Sequence, residues 1–213
     1  MHLSFRRAAQ TLVAHTLVAL VIAAPVAHAQ SLSPSTLGIS VQVHGAGGTM
    51  NTAIYPSASG SAALGFGGEV AYGTSPRLSL VSRLARITSK SEIVTESTDY
   101  AMLQADFGLR WMSSPGARVR PFAEAGLALR RLAFEFADAK GAMRDFTAFN
   151  GGAMASVGLM VFQTETVSVD AAGTYTSGNF STWKVNGQPA PGVAQMTSEM
   201  LGVRLGVRYW FKK

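Results

Sequence analysis

From Leu37 to Phe211 the chain reads as eight runs in which every second residue is apolar, and the connections between them alternate strictly, long then short. The runs are Leu37–Gly47, Ala63–Tyr72, Arg77–Thr88, Asp99–Met112, Val119–Leu132, Thr147–Phe162, Val167–Thr176 and Met196–Phe211. A two-residue period is the pattern of a strand with two unlike faces. The short connections are the turn-like stretches "GTSP" (Gly73 to Pro76), "SSPGAR" (Ser113 to Arg118) and "QTET" (Gln163 to Thr166). The longer ones lie around Thr49–Ser61, Ser89–Thr98, Ala133–Phe146 and Ser177–Gln195. Barrels that span an outer membrane show this asymmetry, with tight turns on the periplasmic side and long loops outside. An even strand number also returns both ends to the periplasmic side. A soluble sandwich or a lipocalin-like barrel has no reason to alternate so cleanly.

The first residues set the compartment. Arg6 and Arg7 form a positive n-region, "TLVAHTLVALVIAA" (Thr11 to Ala24) is an apolar h-region, and "AHA" (Ala27 to Ala29) is a small-x-small cleavage site. A signal peptide over residues 1–29 is therefore expected, with 184 residues remaining after cleavage and a formal charge reduced from +6 to +4. The remaining basic excess forms no cluster interleaved with aromatic residues, so nucleic acid is not an expected partner. Zero cysteines exclude a disulfide framework and thiolate chemistry. No later stretch approaches the ~20 continuous apolar residues of a membrane helix. A membrane can be crossed here only by strands, and in hydrocarbon those strands must close so that no edge is left unpaired. The expected fold is all-β: a closed, eight-stranded, antiparallel, up-and-down transmembrane barrel over residues 30–213. Eight strands leave an interior just wide enough to be filled by side chains.

Alternation alone does not say which face meets lipid, but the aromatic residues do. Tyr72, Trp111, Tyr209 and Phe211 end descending strands on the apolar phase, and Tyr175 lies near the top of an ascending one. Two aromatic levels on one face fit girdles at two lipid interfaces. Phe162 falls on the other phase and needs a bulge or an inward ring. With the apolar phase outward, the lumen receives the acids Glu69, Asp106, Glu124 and Asp170 and the arginines Arg83, Arg110, Arg130, Arg204 and Arg208. Near-balance suits a semi-dry interior, where an unpaired charge costs several kcal/mol. The set reads as a structural salt-bridge network, with an ion path as the alternative. Arg204 and Arg208 are expected to pair with acids of other strands, Asp170 being the nearest in sequence, and Gln42 and His44 offer neutral acceptors.

Taken together, the signal peptide, the strand and loop order, "RPFAEAGLAL" (Arg120 to Leu129) and the closing "GVRYWF" (Gly206 to Phe211) resemble the small eight-stranded outer-membrane barrels. That group includes the OmpA transmembrane domain, OmpX and the opacity-type surface proteins. The resemblance covers Leu37 to Phe211. It implies residence in the cell outer membrane and recognition of Tyr209 and Phe211 by the barrel-assembly machinery, although Lys212 and Lys213 follow the usual terminal aromatic. The fold hosts several unrelated activities, so it does not by itself give one.

Candidate chemistry is sparse. His44 is the only histidine after the signal region, and no serine or acid is marked as its partner; Ser40 lies four residues away. Neither catalytic residues nor a metal site nor a cofactor is expected. "HGAGG" (His44 to Gly48) precedes no helix and is not a phosphate loop. Beyond Arg130 the inward phase turns apolar, at Leu132, Phe134 and Phe136, which reads as the outer rim. Arg86 and Arg131 stand at that rim on the outward phase, placed for lipopolysaccharide phosphates or for ordinary snorkelling at the interface. Phe134, Phe136, Phe146 and Phe149 are expected to cap the mouth, with Phe180 and Trp183 adding aromatic surface outside. The function expected is a non-enzymatic envelope or surface-contact role through the external loops. A small passive pore is the alternative, and a lipid A-modifying enzyme a more distant one.

Overall fold

The computed structural model describes residues 34–53, 61–94, 96–137, 141–190 and 196–211. The signal segment, Lys212 and Lys213 lie outside the described residues. Eight long strands form the wall: β1 (Gly38–Ala53), β2 (Ser61–Gly73), β3 (Leu78–Val94), β4 (Glu96–Met112), β5 (Val119–Ala137), β6 (Met143–Phe162), β7 (Val167–Val185) and β9 (Met196–Trp210). A two-residue piece, β8 (Gln188–Pro189), pairs only with the end of β7. Consecutive long strands are antiparallel neighbours, and β9 pairs with both β7 and β1, so the sheet closes on itself. The barrel leaves no edge among its eight strands, which is the condition for residence in hydrocarbon.

Side-chain phase follows the two-residue period along the strands, up to a bulge near the end of β7. Val43, Leu64, Phe66 and Val157 are each close to 70% exposed on the outer surface. Their immediate neighbours in sequence, such as Gln42, His44 and Ser156, are buried in the lumen. Exposed apolar side chains in an unbroken band are unfavourable in water and natural in lipid.

The lumen is layered. Near the short turns, Met112, Phe122, Met160, Phe162, Ala172 and Trp210 form an apolar plug. Phe162 thus resolves its odd phase by pointing inward, 0% exposed, with its ring 6.3 Å from that of Trp210. At the opposite end a second plug joins Met50, Ile87, Met102, Leu132, Phe180, Trp183 and Met200, with Phe134 and Phe146 packed against it. Charged and polar side chains fill the middle.

Three expectations are corrected. The long connections are largely strand: β3 and β4 continue to Val94 and Glu96, and β5 and β6 to Ala137 and Met143. Beyond the membrane no lipid selects an apolar outer face, yet the backbone ladder continues, so these extensions lack the outward-apolar pattern that marks the strands below them. Phe149 does not cap the mouth; it is outward and 42% exposed. Trp183 and Phe180 are not external surface but interior. A register shift opposite Phe149 and Asn150 leaves one extra residue on β7 between Phe180 and Thr182. That bulge turns the odd-numbered Trp183 inward, where the regular period would have sent it out. The hairpin beyond it turns on Asn186 and Gly187, both at positive φ, as a two-residue turn of the primed type requires.

The segment entering β1 closes against the rim formed by the short turns. Thr36 Oγ1 donates to Pro76 O at 3.1 Å, and a Cβ built on Gly73 would meet Thr36 O at 1.7 Å. Only glycine allows that approach.

Candidate functional site: the lumen charge layer and the outer rim

Register explains how the charge layer assembles. Arg208 faces Gln42, Gln42 faces Glu69, Glu69 faces Arg83, and Arg83 faces Asp106. One row of registered side chains therefore runs basic, neutral, acidic, basic, acidic across β9, β1, β2, β3 and β4. Directly opposed side chains of opposite sign are neighbours within reach. A second row places Arg110 opposite Glu124 on β4 and β5.

The two glutamates are the hubs. Glu69 accepts from Arg83 Nη2 at 2.8 Å, from Arg110 Nη2 at 2.7 Å and from Arg208 Nη2. Glu124 accepts from Arg83 Nη2 at 2.9 Å, from Arg204 Nη2 at 3.2 Å and from Arg110. Arg83 also donates to Asp106 Oδ2 at 3.0 Å, so one guanidinium joins three carboxylates. Asp170 accepts from Arg208 Nε at 2.9 Å, from Gln42 Nε2 at 3.1 Å and from Ser168 Oγ at 3.1 Å. All of these groups are buried. Guanidinium and carboxylate in such multi-dentate contact make the stronger class of hydrogen bond.

The structure thus brings together Glu69, Arg83, Asp106, Arg110, Glu124, Asp170, Arg204 and Arg208. It departs from expectation in pairing. Arg204 does not meet Asp170, whose adjacent strand offered the nearest acid; it crosses the lumen to Glu124, and the partner of Asp170 is Arg208. Arg130 is interior but outside the ion pairs, donating from Nη1 to Ser198 Oγ at 3.1 Å. His44 is not an acceptor for either arginine: its Nδ1 has no hydrogen-bond partner among the described residues. Sequence reasoning missed Arg120, although it shares the inward phase of Glu124. It is 1% exposed, donates to Thr36 Oγ1 at 3.1 Å and to Pro34 O, and lies 4.8 Å over the Phe162 ring.

These partners predict a specific mutational cycle. Asp170→Ala leaves Arg208 buried with one carboxylate fewer, and adding Arg208→Leu is expected to restore part of the lost stability. Adding Arg204→Leu instead is expected to restore less, because Arg208 and not Arg204 is the arginine hydrogen-bonded to Asp170. Urea unfolding from lipid vesicles distinguishes the two, and equal behaviour of both double mutants would refute the pairing.

On the outside, Tyr72, Trp111, Tyr209 and Phe211 are exposed at the strand ends beside the short turns, with Tyr209 and Phe211 edge to face at 5.1 Å. Tyr175 is exposed near the middle of β7, and its hydroxyl donates to Glu199 Oε1 at 3.3 Å. At the outer rim a single row runs Phe66, Arg86, Leu103, Arg131 and Phe149 over β2 to β6. Arg86 and Arg131 are both exposed on the outer wall and are separated by one strand. The Arg131 guanidinium lies 5.9 Å over the Phe149 ring. Among the described residues no group of three or more histidine, cysteine, aspartate or glutamate side chains could hold a metal ion.

The sequence matches the profile of the outer membrane protein beta-barrel domain over residues 16–208. Among curated proteins none matches the chain. Among solved structures the chain is similar to Neisserial surface protein A, with a TM-score of 0.57, 19% identity, and coverage of 82% of this chain and 97% of that one. It is similar also to the outer membrane protein OprG from Pseudomonas aeruginosa, with a TM-score of 0.58, 12% identity, and coverage of 85% and 100%. At these identities the likeness shows a common fold.

Proposed function

The chain belongs to the outer membrane protein beta-barrel domain family, and on that premise we propose that it is a non-enzymatic integral protein of the outer membrane that acts through its external hairpins, in surface contact or envelope support. The observation that carries this reading is the closed lumen. Two apolar plugs flank an ion-paired layer whose guanidinium groups bridge strands on opposite sides of the barrel. An ion crossing it would have to break several charge-assisted hydrogen bonds at once. Planar-bilayer recordings are expected to show no reproducible conductance steps; regular steps would favour the passive pore.

Enzymatic work on lipid would need a reactive group at the lipid face. His44 points into the lumen, and Ser40, on the same phase, accepts a hydrogen bond from Arg208 Nη1 at 3.0 Å. Four residues of extended chain separate the two by ~13 Å, far outside the reach of a nucleophile and its base.

Lipopolysaccharide is the partner suited to the outer rim. Arg86 and Arg131, two strands apart, stand ~10 Å from each other at strand spacing, framed by Phe66, Leu103 and Phe149 for acyl chains. Phosphate is recognised well by such guanidinium groups. The double variant Arg86→Gln with Arg131→Gln is expected to retain several-fold less lipopolysaccharide on purification while remaining heat-modifiable on a gel. Unchanged retention would reduce both residues to interface snorkelling. The signal peptide and delivery through the periplasm to the assembly machinery belong to the same proposal, and amino-terminal sequencing of the mature chain, expected to begin at Gln30, tests the cleavage.

A further inference from the structure

Residues 34–37 leave the barrel wall before β1 begins and fold into the short-turn end of the lumen. Gly38, the first residue of β1, has φ 85°, a left-handed conformation that glycine adopts without strain. Two contacts seat the segment beyond that bend. The Thr36 carbonyl oxygen takes the place of the Cβ that Gly73 lacks, and Gly73 shares the inward phase of Glu69 and Ala71. Thr36 Oγ1 also donates to Pro76 O in the β2–β3 turn at 3.1 Å. Pro34 and Thr36 are buried, whereas Ser35 and Leu37 between and after them are exposed.

The far side of the segment is held from the opposite wall. β5 stands four strands from β1 in either direction around the eight-stranded wall. From β5, Arg120 donates Nη1 to Thr36 Oγ1 at 3.1 Å and Nη2 to the Pro34 carbonyl, while Ala117 O accepts from Nε at 3.0 Å. The guanidinium lies over the ring of Phe162, a member of the apolar plug at this end. Unlike Arg83, Arg110, Arg204 and Arg208, Arg120 has no carboxylate partner among the described residues; its acceptors are all neutral. A cation held this way at the mouth of a barrel loses only hydrogen bonds on release, and water can replace them. An arginine of the middle layer would leave a buried counter-charge behind. The hold of Arg120 on the segment is reversible where theirs is not.

We propose that residues 34–37 are a hinged lid over the short-turn end of the lumen, with Gly38 as the hinge, Gly73 as the seat and Arg120 as the latch. Closed, the lid covers the apolar plug. Open, it admits small solutes to the plug and no further, because the charge layer and the outer plug are built from other residues. The device switches access to one end of the barrel without making a pore of it.

The chain contains no cysteine, so one introduced thiol reports access without background. Ser79 is the reporter position. It is 0% exposed, lies opposite Gly73 in register, and its hydroxyl has no hydrogen-bond partner among the described residues, so Ser79→Cys disturbs little. Ala148→Cys, in the outer plug, is the control. The full mature barrel, refolded in detergent and heat-modifiable on a gel, is reacted with a charged, water-soluble methanethiosulfonate. Arg120→Met keeps an apolar stem beside Phe162 and removes the donors; it is expected to raise the labelling rate at Ser79→Cys about tenfold and to leave that at Ala148→Cys unchanged. Thr36→Val, which takes the hydroxyl out of both its bonds, is expected to act alike. The two together should exceed either alone by far less than the product of their effects, because both release the same lid. Should Arg120→Met fail to fold, Thr36→Val decides. An unchanged rate at Ser79→Cys in the folded variants, equal gains at both thiols, or effects that multiply would overturn the proposal and reduce the segment to a fixed end of β1.

Discussion

Glu69→Ala is expected to cost the barrel about 3–5 kcal/mol of unfolding free energy, with Glu124→Ala the one lumen truncation of comparable effect. The reason is its position as a hub. Arg83, Arg110 and Arg208 all donate to it, and each is buried. Truncation removes the counter-charge and leaves three guanidinium groups crowded in a space without bulk water. Glu69→Gln should cost nearly as much, because the amide keeps the volume but turns N–H donors toward other donors. Glu199→Ala is the control: its carboxylate sits on the outer wall with Tyr175, and an exposed pair of this kind contributes within about 1 kcal/mol. Urea titration from lipid vesicles measures all three. If Glu69→Ala lay within 1 kcal/mol of Glu199→Ala, the lumen would be wet enough to screen its charges, and the case against conduction would weaken with it.

The lumen membership of Glu69 was readable from the sequence because period-2 phase is a local property. Once the apolar face is assigned to lipid, every side chain between Val119 and Leu132 follows, Arg120 included. Partner choice was not readable in the same way. It depends on the register between strands and on the reach of a side chain across the barrel, and both are set by closure. Asp170 and Arg204 are on adjacent strands, yet Asp170 faces Gly206 and Arg204 faces Ala172. Each then takes a partner elsewhere. The extra residue on β7 beside Phe180 was equally invisible, since one inserted residue reverses the phase without altering composition. Asn186–Gly187 was a turn signal within reach, hidden in what looked like one long loop. The external hairpins show the general limit: outside the bilayer, strands are held largely by backbone pairing, and no lipid writes an apolar outer face into their sequence.

A charge on the lipid face is expected to be felt according to its depth, and Leu127→Arg should be among the costliest outward changes, at about 2–4 kcal/mol. Leu127 is 65% exposed on β5, opposite Phe107 on one side and Ala153 on the other. It lies four residues from Ala123, which faces Trp111 beside the short turns, and four from Arg131 at the opposite rim. With a rise of ~3.4 Å per residue and a tilt of ~40°, each interface is ~10 Å away along the membrane normal. An arginine side chain spans less than that, so its guanidinium would reach the headgroups only by thinning the bilayer. Leu129→Arg, two residues below the rim, can snorkel and should cost about 0–1 kcal/mol. Leu127→Ala exchanges one apolar contact with lipid for another and should be milder than Leu127→Arg. The gradient between positions 127 and 129 separates lipid from water as the outer solvent. A water-soluble barrel would accept both arginines equally on its surface. Thinner bilayers should shrink the difference, because the distance to the nearest headgroup shrinks with them. Equal costs at both positions, unchanged by bilayer thickness, would mean that the exposed apolar band is covered by something other than lipid.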